Sequence, residues 1–213
     1  RLQVGGAAVE LTSAEATYVV HGAAIATPTQ NVVAWLRDLV SSREVDLPGD
    51  DGISLVSRGG TPGPLRAPLL PESGAQLRAG IRQFDVAWAG GEAPYQLRLV
   101  RADGSLVFDV ASAPQPSLSL GPLTLYPGLY RLEIRDTGGG ALDTDLTVRA
   151  DAPTPPTELT GDGPLAETLV AAWRAQQGEG EWSLDAYQAL ADLPGDYAPA
   201  RELRAALAQG GRP

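Results

Sequence analysis

With 26 acidic residues against 16 basic ones among 213, the chain carries a net charge of −10. Nucleic acid and anionic membrane surfaces are therefore poor partners, because both need clustered cations. The chain has no cysteine, which excludes a disulfide framework, a thiol nucleophile and a cysteine metal site. Apolar residues make up 43%, beside 25 Gly and 18 Pro, a balance that suits many short strands joined by turns.

Taken in chain order, residues 1–60 form a mixed strand and helix segment. Val9-Glu10-Leu11, Thr17-Tyr18-Val19-Val20 and Ile53-Ser54-Leu55-Val56 have the composition of short strands. Thr27-Pro28-Thr29-Gln30 opens a helix: Thr27 can cap it, Pro28 suits the first turn and Gln30 stands at the capping-box position. Val32, Val33, Leu36, Leu39 and Val40 then lie on one face. A first Pro/Gly-rich seam, from Gly59 through Pro64 and Pro68 to Pro71, marks residues 61–75 as a stiff linker.

Residues 76–150 alternate with period two. Phe84, Val86 and Trp88 are followed by Tyr95, Leu97 and Leu99, then by Leu106, Phe108 and Val110. Leu118 and Leu120, Leu123 and Leu125, the triplet Tyr130, Leu132 and Ile134, and finally Leu146 and Val148 complete the set. Turn signals separate them at Gly90-Gly91, Asp103-Gly104, Pro127-Gly128 and Gly138-Gly139-Gly140. Arg98, Arg131, Glu133 and Arg135 fall on the opposite, solvent-facing phase. Short strands at this spacing predict an antiparallel sandwich.

Trp88 closing one strand and Tyr95 opening the next resemble the second and third strands of a fibronectin type III domain. Leu125-x-Pro127-Gly128-x-Tyr130-x-Leu132 is similar to the turn that carries the corner tyrosine of Ig-like sandwiches. The resemblance covers residues 76–150. It implies an Ig-like or fibronectin III-like β-sandwich of the kind common in bacterial surface and envelope proteins, with the Tyr130 hydroxyl pinning a corner. It implies nothing about activity.

A second seam, Asp151-Ala152-Pro153-Thr154-Pro155-Pro156, opens a linker over 151–163. Residues 164–213 then switch to helical period. Leu165, Leu169 and Trp173 recur behind Pro164. Ser183 can cap a second helix, with Trp182 and Tyr187 placed as a hydrophobic staple. Leu203 and Leu207 mark a third helix, ended by Gly210-Gly211. Helices this short cannot form a generous core alone and are expected to pack on each other and on the sandwich. Asp-Leu-Pro-Gly-Asp occurs at 46–50 and 192–196 without matching flanks, so it reads as a reused type II turn. The overall fold class is mainly β with helical additions.

No motif carries catalysis or cofactor binding. His21 is the one histidine, too few for a His-based metal site, and no Gly-x-Ser-x-Gly elbow accompanies it. All sixteen basic residues are Arg, so a lysine-bearing phosphate loop cannot occur. Of the acidic groups, Asp46, Asp50 and Asp51 do not fit calcium-loop spacing, while Asp143 and Asp145, on one strand face near Asp136, read as a solvated face with a loop-end calcium site as the alternative; Glu179 with Glu181 is the third cluster. Catalytic residues, cofactors and metals are accordingly expected to be none. Val32 to Val40, the longest apolar run, is broken by Arg37 and Asp38 and falls short of the roughly 18 residues of a membrane span. The chain opens on Arg1 and contains no Met, as a processed or truncated product would, which is consistent with removal of a signal peptide or an anchor.

These features point to a non-catalytic structural or protein-interaction module of a bacterial cell-envelope or secreted assembly, periplasmic or extracellular. Its partner would be another protein or a second copy. Its contacts would be made by strand edges and by the aromatic residues Trp173, Trp182 and Tyr187. Two alternatives stand beside this. One is a cytoplasmic adaptor or regulator docking through the acidic C-terminal helices, which hold ten acids and four Arg from residue 151 onward. The other is a carbohydrate-binding domain with exposed aromatics flanked by carboxylates.

Overall fold

A computed structural model describes residues 2–4, 7–9, 33–34 and 63–211. Near the start, β1 (Leu2–Val4) and β2 (Ala7–Val9) pair as an antiparallel hairpin. Val33 and Ala34 are helical, inside the helix expected after Thr27. The rest of that helix, the strands expected at 17–20 and 53–56, His21 and the first Asp-Leu-Pro-Gly-Asp copy lie outside the described residues.

Seven strands follow: β3 (Ala75–Arg78), β4 (Gly80–Ala87), β5 (Tyr95–Arg101), β6 (Leu106–Ala113), β7 (Ser117–Leu125), β8 (Gly128–Arg135) and β9 (Ala141–Arg149). They form two sheets, one in the order β3-β9-β8-β5-β6 and one of β4 and β7. Only the β3–β9 pair is parallel. Apart from Leu106, which is exposed, the alternating residues point between the sheets. Phe84, Leu97, Leu99, Leu132 and Ile134 are fully buried, with Val86 and Leu146 close behind. This is an Ig-like antiparallel β-sandwich.

The corner tyrosine sits where its motif places it. Tyr130 is buried and donates its hydroxyl to the Tyr126 carbonyl at 2.8 Å, while accepting from the Tyr126 N–H at 3.1 Å. Trp88 and Tyr95 meet edge to face at 5.1 Å across the β4–β5 loop. The leucines at 118–120 and 123–125 belong to one strand. An extra residue at Gly121-Pro122 bulges it, which keeps both pairs turned inward.

The stretch 63–74, expected as a linker, is part of the fold. Arg66 exchanges backbone hydrogen bonds with Ala89, extending the two-stranded sheet. The chain then bends and buries Ala67, Leu69 and Leu70 before crossing to the other sheet as β3. Gly90 permits this approach. Its φ is +72°, and a Cβ there would lie 2.2 Å from the Pro64 carbonyl oxygen.

Three helices follow the sandwich: α1 (Pro164–Ala175), α2 (Ser183–Ala191) and α3 (Ala198–Ala208). Pro164 opens α1 as expected, but α1 buries Thr168, Ala171, Ala172, Trp173 and Ala175 while Leu165 faces solvent. Of the expected stripe, Trp173 is buried and Leu169 packs against the core, so only Leu165 departs from it. Ser183 is the first residue inside α2 and caps nothing; its hydroxyl donates to the Ala175 carbonyl at 3.4 Å. The turn at 192–196 is closed by the Tyr197 N–H on the Pro194 carbonyl at 2.9 Å, and Gly195 does not take the positive φ of a type II turn. Gly210, at φ +86°, ends α3. α2 packs against β3 and β4, and the buried residues of helices and sandwich form one continuous core.

Candidate functional site

A small charged network joins helices to sandwich. Asp185 of α2 is fully buried. One carboxylate oxygen accepts from the Arg78 N–H at 2.9 Å and from Arg82 at 2.8 Å, and the other accepts from Arg174 at 3.0 Å. Gln188, also buried, accepts from Arg82 and donates to the Asp85 carbonyl. Arg204 of α3 approaches Asp85 at 3.6 Å and lies 4.4 Å from the Tyr187 ring centroid. Burial pushes the Arg174 guanidinium below its ordinary value, and burial raises the Tyr187 hydroxyl. Every group here is tied to another part of the same chain, so the network positions the helix layer.

The aromatic residues expected as partner anchors lie inside. Trp173, Trp182 and Tyr187 are 8, 5 and 8% exposed. Indole and phenol rings at that burial hold the helix layer together and present no face to a partner.

The strand edges are finished as well. On β3 the free N–H groups of Gln76 and Arg78 bond to the Glu181 carbonyl at 2.7 Å and to Asp185. Just past the end of β4, Ala89 is paired with Arg66. β7 carries its bulge at Gly121-Pro122, and β6 has two register shifts against β5. Covering, proline and bulges are the devices that keep an edge from pairing with another chain.

The carboxylates serve internal roles. Asp143 and Asp145 pair with Arg135 at 2.6 Å and Arg131 at 3.3 Å on the outer face of the five-stranded sheet. The hydrogen bond from Arg135 to Asp143 raises the guanidinium further. Asp136 accepts from the Gly140 N–H at 2.6 Å and the Glu92 N–H at 3.2 Å. The Glu181 carboxylate accepts from Gln76. Among the described residues no three His, Cys, Asp or Glu gather as a metal would require.

What remains is the end of the sandwich where β4, β6 and β8 begin and β5, β7 and β9 finish. Among residues 63–211 the exposed large hydrophobics are Ile81, Leu106, Tyr126, Leu129 and Leu165, and the first four lie at this end. Tyr126 and Leu129 are both 58% exposed. Between them stands Arg101, its guanidinium carbon 5.1 Å from the Tyr126 ring centroid and 5.7 Å from that of Tyr130. Two shallow cavities, of about 380 and 260 Å³, meet along Arg101, Ala102, Leu129 and Tyr130. The register sets this assembly, since Arg101 pairs with Tyr130 across β5 and β8. Asp103 beside it is held in its own turn by Ser105, whose side chain and N–H (2.8 Å) lower its carboxyl below the ordinary range, with a smaller contribution from the Arg101 charge.

Sequence reasoning missed this surface. A signal for it exists: Leu129 stands in the outward phase of Arg131, Glu133 and Arg135, one apolar residue in a charged row.

No protein-family model matches the chain, and no curated protein matches it. Among solved structures, CopC from Methylosinus trichosporium OB3b is 18% identical, with a TM-score of 0.27 over 36% of this chain and 85% of CopC. The ZIG-8–RIG-5 IG1–IG1 heterodimer gives 17% identity and a TM-score of 0.25, over 35% of this chain and 80% of the matched one. The fold assignment rests on the strand order and the corner, independently of both.

Proposed function

We propose that this chain is a non-catalytic protein-interaction module of a bacterial cell-envelope or secreted assembly, and that it docks its partner at the end of the sandwich around Arg101, Tyr126 and Leu129. The observation that carries this is the pair Tyr126 and Leu129, two large apolar side chains each 58% exposed, lining with Arg101 two adjoining cavities at one end of the sandwich. Clustered exposed apolar surface with an aromatic and an arginine is the composition of interaction hot spots. No helix among the described residues is long and apolar enough to cross a membrane.

A photocrosslinking amino acid replacing Leu129 or Tyr126 in the source cells tests this. Discrete protein adducts are expected from these two positions, in the envelope or secreted fraction, and not from the exposed Gly139 at the other end. Equal labelling from Gly139, or none from Leu129 and Tyr126, overturns the docking surface. Adducts confined to the cytosol overturn the location.

A further inference from the structure

Building on that docking surface, we propose that it selects a partner segment in which an Asp or Glu stands beside an apolar side chain, with Arg101 holding the carboxylate. A guanidinium lying over aromatic rings keeps its N–H donors for a further acceptor. Among the described residues none of the guanidinium donors of Arg101 is hydrogen-bonded and no carboxylate forms an ion pair with it, although Asp103, Glu133 and Asp145 line the same cavities. Its neighbours on the same sheet differ: Arg131 has Asp145 and Arg135 has Asp143. Asp103, the closest acid in sequence, is engaged by Ser105.

The platform beneath Arg101 is fixed in advance. The Tyr130 hydroxyl is committed to the Tyr126 backbone, so the buried ring cannot turn toward a ligand. Tyr126 and Leu129 line the cavities beside the guanidinium and offer apolar contact within reach of the same ligand. One unpaired arginine matches a singly charged carboxylate, whereas phosphate groups are recognised by clusters of cations. A second copy would bring a whole further charge of −10, whereas a segment with a single acid brings one negative charge, placed directly on Arg101, so the occupant is a different protein.

The test is selection of a random short-peptide display library on the wild-type protein and on the Arg101→Gln and Leu129→Asp variants, each first shown to melt like wild type. The wild type is expected to enrich peptides with an acid next to an apolar residue. The best synthetic peptide should bind Arg101→Gln about tenfold to a hundredfold more weakly, the range of a charged hydrogen bond. Replacing its acid by the matching amide should cost the same on the wild type and nothing more on Arg101→Gln. Leu129→Asp should lose binding altogether. Enriched peptides without an acid, or unchanged binding by Arg101→Gln, overturn the carboxylate preference and leave the docking surface standing. No enrichment on the wild type, or the same peptides selected by Leu129→Asp, overturns both.

Discussion

The seam between helices and sandwich and the open end of the sandwich use the same residue types to opposite effect. At the seam Arg82 and Arg174 close on the fully buried Asp185, and Arg204 approaches the buried Asp85. At the open end Arg101 rests on two tyrosines without an ion pair. Tyr187 is buried at the seam, while Tyr126 is exposed at the end. An arginine and an aromatic ring therefore do not mark a working surface by themselves. Burial and the presence of an internal partner decide whether they build the fold or stay free for another molecule.

Breaking the seam should give the largest effect. Asp185→Ala strands Arg82 and Arg174 without their acceptor and leaves the Arg78 N–H unpaired. Removing one partner of a buried ion network costs about 3–5 kcal/mol. The seam already leaves the Nε donors of Arg174 and Arg204 without a partner among the described residues, and its one unpaired acceptor, Asp85 Oδ2, belongs to a carboxylate that Arg204 already approaches. Urea unfolding should show the midpoint falling accordingly. A loss within about 0.5 kcal/mol, the range of an ordinary surface change, would mean the helices are held by their apolar faces alone. At the open end the matching change is Tyr130→Phe. It removes only the hydroxyl that pins the corner, and should cost about 1–2 kcal/mol.

The strands were legible because each sheet has one buried face, and period-two alternation is the direct imprint of that. The corner was legible because Pro127, Gly128 and Tyr130 act through local geometry. β3 was not, since Ala75-Gln76-Leu77-Arg78 is short and its place is set by pairing with residues 146–149, far along the chain. Residues 63–70 read as a linker because proline composition does not separate a stiff connector from a strand stub followed by a bend. Leu165 of α1 was misjudged because it fits the helical period, and only the neighbouring helices select which residues are buried. The open-end site was hidden for a related reason. Arg101, Tyr126 and Leu129 come from different strands and loops and share nothing until the register of β5 and β8 brings them together.

A smaller and more selective probe of the contrast is alkaline pH. Burial raises the Tyr187 hydroxyl at the seam above its ordinary value of 10.0, and burial with the nearby Asp136 charge raises Tyr95 at the locked end. A raised value in the folded state means that the fold holds this proton more tightly than the unfolded chain does. Its stabilising contribution is complete below the unfolded value and is lost as pH rises through it toward the folded value. Melting temperature followed by circular dichroism should therefore fall on the alkaline side of pH 10, and Tyr187→Phe should flatten part of that decline, leaving the share due to Tyr95. Parallel declines in wild type and Tyr187→Phe would show that the seam opens to water before the tyrosine titrates. The helix layer would then be a loosely closed cover, not a sealed one, and the difference between seam and open end would be one of degree.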